Sequence, residues 1–425
     1  MKARYLTLLT VVLCCSACSA PSLRHKKEVN KLLSAGEFTA AAAKIEAGKN
    51  KEYSRRDRAL FYLDSAAVLH DAAQYAESDR RLSFAQDRIE ELFTQSISAH
   101  TAQYLVNDLT VPYTPAAYEQ ALTYYYRAMN FLSKNNIADA AVEANRAVHF
   151  LDQLRGSTGQ DNPFVQYFMS LIFESAGRRD DARIARTRAV QAYGAAPVFP
   201  EPVEGFGEVV LVHSNGVIPL KKSATFQVGW GRVLVYTQSH QESARGMSPQ
   251  IHNAINAGLL GGAVTVAYPV LEEQPYTITA SEVVTQQGQV YATQLLGDVA
   301  GAARAELKDK ETGTLVRAAL RAAAKRVAAV QARHVTNQNT DAKAWGDVAE
   351  MFVSFLGALT EKADTRQWFT LPAQLRMTRF YVPPGTQDIT LRFKNRFGKI
   401  VGTYTFENVP VTAGGRVYLH YRTAK

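Results

Sequence analysis

The sequence predicts an α+β chain in two unlike halves: an α-helical repeat array, then a β-sandwich-like α+β domain with a helical insertion. Three observations predict it. Residues 24–195 carry apolar and small residues at helical spacing, and the pattern recurs in one register. Pro197, Pro200 and Pro202 then stop helical structure and stiffen a connector over residues 196–202. Beyond them the apolar period shortens to that of half-buried strands.

The opening residues set the compartment. Lys2 and Arg4 precede an apolar run over residues 5–12 and small residues at Ser16 and Ala17. That is the make-up of an export signal, and it is too short to span a bilayer. Ser16-Ala17-Cys18 resembles a bacterial lipobox, in which the signal is cut before a cysteine that then carries acyl chains; Cys15 stands where Leu is usual. The expectation is a signal peptide at 1–17, acylation at Cys18 and a tether over 18–23. The alternative is an ordinary secretory signal cut near Ala20. Ser19 occupies the position where an inner-membrane retention signal would resemble Asp, so the expected address is the outer membrane, facing the periplasm. Cys14, Cys15 and Cys18 are the only cysteines. A chain cut before Cys18 keeps no pair for a disulfide, which suits an oxidising compartment. The same cut excludes cysteine nucleophiles, zinc fingers and iron–sulfur sites.

The helical half reads as repeats. Tyr124, Ala128, Phe131, Ile137, Ala140, Ala144 and Ala147 match the helix–turn–helix register of a tetratricopeptide repeat, where small residues let antiparallel helices touch and aromatics wedge between them. Tyr62, Ala66, Leu69, Tyr75, Ser78, Leu82 and Ala85 fall in the same register. So do Gln166, Ser170, Phe173, Ala182, Arg186 and Ala189 and, more loosely, Leu32, Gly36, Phe38, Ala41 and Ile45. An extra helix is expected over residues 90–106. An unrelated helical bundle is the alternative. Repeat arrays expose a concave face built by the first helix of each repeat. Here that groove comprises Leu63, Ala67, His70, Tyr125, Met129, Tyr167 and Leu171. An open apolar stripe of that kind is an association site. Either a partner helix or a segment of this chain must cover it, and self-coverage is the favoured reading.

Residues 203–425 are expected to form one α+β unit, with a split near residue 370 as the alternative. Val209 to Val212 is an apolar run ending at Ser214-Asn215-Gly216, a turn signal. Residues 226–236 and 263–271 read as strands, and 276–285 with 289–293 as a hairpin around Gly288. Helical periodicity returns over about 294–362, in Val316, Leu320 and Ala323 and again in Phe352, Phe355 and Leu359. Strands resume where Ile389, Leu391 and Phe393 alternate with Thr390, Arg392 and Lys394, and where Val417, Leu419 and Tyr421 alternate near the end.

Residues 215–221, 264–271 and especially 364–372 (Asp-Thr-Arg-Gln-Trp-Phe-Thr-Leu-Pro) resemble an uncharacterised family of bacterial lipoproteins that pair tetratricopeptide-like repeats with a strand-rich second half. The resemblance implies architecture and location and brings no reaction. In an extended chain, Asp364, Arg366 and Trp368 share one side. Such a row suits a latch that pins the inserted helices to the sheet, or the edge of a binding site.

No catalytic motif is present, and none of the nine histidines is paired at helical or strand spacing. No enzyme activity, metal site or cofactor is therefore expected. Gly258-Leu259-Leu260-Gly261-Gly262 follows helical residues and precedes a strand, the reverse of a phosphate loop. Arg317, Arg321 and Lys325 form a basic stripe that reads as a solvated face. The formal charge of +9 carries its excess in the second half, which suits anionic glycan, lipid headgroups or an acidic partner before nucleic acid, with a solvated surface that has no electrostatic partner as the alternative. The leading reading is an outer-membrane-anchored adaptor that binds periplasmic or envelope proteins and holds the membrane through its acyl chains. A peptidoglycan- or glycan-binding module is the alternative, since Trp230, Trp345 and Trp368 all lie in the second half. An enzyme with a dispersed site is the third.

Overall fold

A computed structural model describes residues 21–96, 112–229, 263–311 and 363–425. Cys18, Trp230, Trp345, the glycine-rich stretch at 258–262, the basic stripe and the remainder of the expected insertion lie outside the described residues. The architecture is α+β, with helices through the first half and mostly antiparallel sheets in the second.

Eight helices follow one another before the prolines among the described residues: α1 (Leu23–Ala35), α2 (Phe38–Gly48), α3 (Arg58–Asp71), α4 (Tyr75–Ser96), α5 (Ala117–Leu132), α6 (Ile137–Thr158), α7 (Pro163–Ser175) and α8 (Arg179–Tyr193). Local chemistry sets their ends. Ser22, Asn136 and Asn162 accept from the backbone N–H groups of His25, Asp139 and Val165 at helix starts, and Pro163 occupies a first turn where no donor is needed. Each helix packs on the next, and α3, α5 and α7 also touch in sequence, forming an inner row. The contacts run through the small residues of the sequence register: Ala66, Ala85, Ala128, Ala144 and Ala189 are all fully buried. Helix α4 runs unbroken through residue 90 to Ser96, and the rest of the extra helix expected over 90–106 lies outside the described residues. Among the described residues no helix is long and apolar enough to cross a membrane.

After an irregular stretch through the prolines come β1 (Gly207–Asn215), β2 (Leu220–Gly229), β3 (Ala263–Glu272), β4 (Ala280–Thr285), β5 (Val290–Ala292) and β6 (Gln294–Asp298). Helix α9 covers residues 299–311. The last four strands are β7 (Gln374–Val382), β8 (Gly385–Lys394), β9 (Ile400–Val411) and β10 (Arg416–Thr423). One sheet has the order β10-β1-β7-β6, with β1 and β10 parallel; another has the order β5-β4-β8-β9. Strands β2 and β3 form a separate antiparallel ribbon. Strand β1 is buried on both faces. Val209 and Leu211 join Ile389, Leu391 and Phe393 in a core between the two four-stranded sheets, while Val210 and Val212 join the helices. This double burial explains why β1 reads as a continuous apolar run rather than an alternation.

The hairpin around Gly288 forms as expected, with that residue at φ +80°. Other features differ from the expectation. Residues 294–298 form β6, which pairs with β7, so helical structure begins at 299 rather than 294. Asp298 accepts from the Gly301 N–H and starts α9. Between β8 and β10 the chain inserts β9, whose mostly exposed residues give no clear alternation.

Candidate functional site at the junction of the halves

The two halves meet along the inner row of helices, and residues 363–372 are threaded between them with no regular structure. Arg366 is buried and forks to Asp364, donating to Oδ1 at 2.9 Å and Oδ2 at 2.7 Å, while its Nη1 donates to Asp57 Oδ1 at 3.1 Å. Burial alone would raise the Asp364 pKa, and the adjoining guanidinium outweighs it, holding the carboxyl below its ordinary value. Trp368 is fully buried, its ring against Tyr126 at 5.6 Å and its Nε1 donating to Thr370 Oγ1. The Trp368 backbone N–H donates to Glu119 Oε1, on α5. On the other side, Gln367 accepts from the Lys221 N–H and donates to the Pro219 carbonyl. Asp364, Arg366 and Trp368 thus share a side, and among the described residues Arg366 and Trp368 hold elements of the N-terminal half. The binding-edge alternative for Trp368 fails on its burial.

The expected groove is filled. Leu63 and His70 on α3, Tyr125 and Met129 on α5, and Tyr167 and Leu171 on α7 are all buried. Tyr167 Oη accepts from Arg379 of β7 at 2.8 Å, and the Leu171 carbonyl accepts from Arg416 of β10 at 2.7 Å. Tyr125 packs edge-on to Phe164 and Phe168. No partner helix can lie where this chain's own sheet already lies. Of the two readings of the groove, cover by a partner helix or by this chain, the described residues show an internal interface.

Sequence reasoning missed the polar groups sealed at this interface. Lys26 on α1 donates to the Thr365 carbonyl at 2.6 Å, and burial pulls its pKa down to about 8. Asp64 accepts from the Tyr53 hydroxyl at 3.0 Å, and burial drives its pKa well above the usual carboxylate range. His70 and His420 touch across the junction, Nε2 to Nδ1, at 3.2 Å. The bonding fixes their tautomers. His70 Nδ1 faces the Asn130 carbonyl oxygen at 2.7 Å, so it carries the proton and its Nε2 must accept from His420 Nδ1. His420 Nε2 then accepts from the Ser214 hydroxyl at 2.8 Å. Both imidazoles are neutral in this chain: burial lowers the His70 pKa to about 4 and that of His420 well below ordinary. Nearby, Asp71 and Arg422 pair at 3.5 Å, both sealed, and burial raises the Asp71 pKa to about 7. Ser214 beside a histidine has the composition of a nucleophile pair, yet it is fully buried. Access to substrate, which nucleophilic catalysis requires, is lacking there.

Beside the junction lies a cavity of about 820 Å³ between α5, α7, β6 and α9. Tyr118, Leu122, Phe164 and Leu296 give it an apolar wall, and Asp161 and Glu306 contribute carboxylates. Glu306 pairs with Lys221 at 3.1 Å and Lys310 at 2.7 Å. Burial alone would raise its pKa, and the two ammonium groups outweigh it. Among the described residues no group of three His, Cys, Asp or Glu stands close enough to hold a metal. Comparison with protein-family models found no match, and comparison with curated proteins found none either.

Proposed function

We propose that this chain is an outer-membrane lipoprotein, anchored through Cys18 and facing the periplasm, that serves envelope proteins as a braced interaction scaffold. In this reading the first half is a tetratricopeptide-like solenoid and the second a β-sandwich-like domain. The observation that carries it is the filled groove. Because residues 363–372 and β10 occupy the inner helical row, the helices act as a support that stiffens the strand-rich half rather than as a peptide clamp. Partner contact then falls to surfaces that remain open. Among the described residues, Phe397, Ile400, Val401 and Tyr404 are exposed large apolar residues close together in sequence, with Phe397 77% accessible; exposed apolar surface of this kind marks association sites.

The anchor and the scaffold are tested together. A Cys18→Ser chain leaves the membrane fraction, whereas a chain that stays there has its anchor elsewhere. A photo-crosslinking residue at Phe397 in living cells yields an adduct with another envelope protein, and the same residue at exposed Val198 does not. Adducts at Phe397 only to a second copy of the chain, or none, would defeat the adaptor role without touching the anchor. A second reading, a peptidoglycan-binding module, is favoured by the cavity, where an apolar wall and carboxylates converge. Sedimentation of the purified chain with peptidoglycan tests it.

A further inference from the structure

The cavity beside the junction is bordered by α9 along its length: Asp298 at the start of the helix, Ala302 and Ala305 midway and Asp309 near its end all line it. Spacings of 4, 3 and 4 put these four residues on one face of a helix. At 1.5 Å of rise per residue the two aspartates stand roughly 16 Å apart, so the cavity is an elongated groove with a carboxylate at each end and only methyl groups between.

The groove is layered by depth. Facing α9, the buried Leu122, Phe164, Leu296 and Leu375 form an apolar deep wall. The two hydroxyl groups of its lining tyrosines are committed, Tyr193 donating to the Leu296 carbonyl at 2.7 Å and Tyr118 to Glu119 Oε1 at 3.4 Å. A polar group held in the middle of the groove would lose its water without gaining a partner. Polar side chains belong instead to the exposed rim, among them Asp298, Asp309 and Lys310.

Charge at that rim runs against the +9 of the whole chain. Asp161 is answered by Arg155 at 2.9 Å, and Glu306 by Lys221 and Lys310. Asp298 and Asp309 have no ion-pair partner among the described residues. Asp298 accepts from the Gly301 N–H, a bond that leaves its charge in place. Each end of an apolar groove thus keeps one uncompensated negative charge.

We propose that this groove is a binding site for an elongated organic diamine, with an apolar middle against the deep wall and a protonated amino group at each of Asp298 and Asp309. The inference rests on neither the anchor nor the adaptor reading. It differs from the peptidoglycan reading of the same cavity in ligand class, because a sugar carries hydroxyl groups along its whole length and the deep wall offers them no partner.

Isothermal titration calorimetry of the full chain in nonionic detergent tests it, with the heat of the same titration into detergent alone subtracted. The probe 1,12-diaminododecane binds with one site per chain. Dodecanedioate, with the same middle and opposite charge, binds at least tenfold more weakly, as does 1,4-diaminobutane, which carries the charges but cannot reach both aspartates. Asp309→Asn weakens the long diamine about fivefold, the scale of one exposed ion pair. Ala305→Trp fills the groove and abolishes binding. Both positions are exposed, so circular dichroism stays parental in both variants. A parent that does not bind the long diamine overturns the proposal, including one that binds a soluble peptidoglycan fragment in its place. So does equal binding of the dioate or the short diamine, or an affinity that survives Ala305→Trp or is unmoved by Asp309→Asn.

Discussion

Replacing Trp368 with Ala probes the junction most directly. The indole is fully buried in a hydrophobic cluster that includes Val29, Leu63 and Met129 from the helices and Val210, Leu375 and Met377 from the sheet. Truncating a buried large aromatic costs about 3–5 kcal/mol, from lost transfer energy and from the cavity left behind. The upper part of that range applies here, because the indole is fully buried and its ring partner Tyr126 is itself fixed in the packed core of α5. The backbone N–H bond to Glu119 survives the change, and Thr370 Oγ1 keeps Asp64 as a partner, so no buried donor is stranded. The expected loss is therefore about 4 kcal/mol, a large share of the roughly 5–15 kcal/mol that holds a native protein. Urea unfolding of the full chain, followed by far-ultraviolet circular dichroism, reads it. Since one core runs through both halves, helices and strands should lose structure together and at lower denaturant than in the parent. A loss below about 1 kcal/mol, or helices that unfold separately at the parental midpoint, refutes the reasoning.

Met129→Glu places a carboxylate in the filled groove, where Met129 is fully buried; the full chain should lose about 2–4 kcal/mol in the same assay. An unchanged midpoint would mean that α5 presents a different face to the sheet. His213 is buried between Ser281 and Thr423, and burial, helped by the positive Arg376 and Arg422, lowers its pKa to about 3. Between the ordinary histidine pKa and that value the unfolded chain binds a proton that the folded chain refuses. Its contribution is thus intact above the unfolded pKa and is lost as pH falls toward the folded one, about 2 kcal/mol of it between pH 7 and pH 5. His213→Asn should make the fall in stability over that interval shallower by about this amount. Parallel pH profiles for the two chains would show that His213 titrates normally in the fold.

Trp368 was legible as a buried anchor at a layer junction, but its partners were not. From the sequence, the nearest helices to residues 364–368 are those just before them; the structure also brings α5 to Trp368, some 250 residues away in sequence. The same blindness hid β10. Val417, Leu419 and Tyr421 mark its apolar side, and alternation alone does not say what the intervening Arg416, Tyr418, His420 and Arg422 face. In the fold that side meets helices: Arg416 joins Glu174 as well as Glu208 of β1, Tyr418 bonds Ser175, and His420 bonds His70. The available signal was the mixture of aromatic, histidine and arginine in place of the Lys, Glu and Thr of a wet strand face.

What the sequence determined by itself is what short-range chemistry decides. The small-residue register in the helices, the break at the prolines and the turn at Gly288 all act within a few residues, where backbone geometry and side-chain volume leave little choice. Tertiary structure alone decided that the apolar inner row of helices is covered by this chain's own sheet. It also decided which polar groups could be buried, because Lys26, Asp64, Glu119 and the His70–His420 pair are tolerable only where partners from distant segments arrive to satisfy them. Periodicity specifies that a face must be covered; the identity of the cover depends on contacts between residues hundreds of positions apart, which no local pattern encodes.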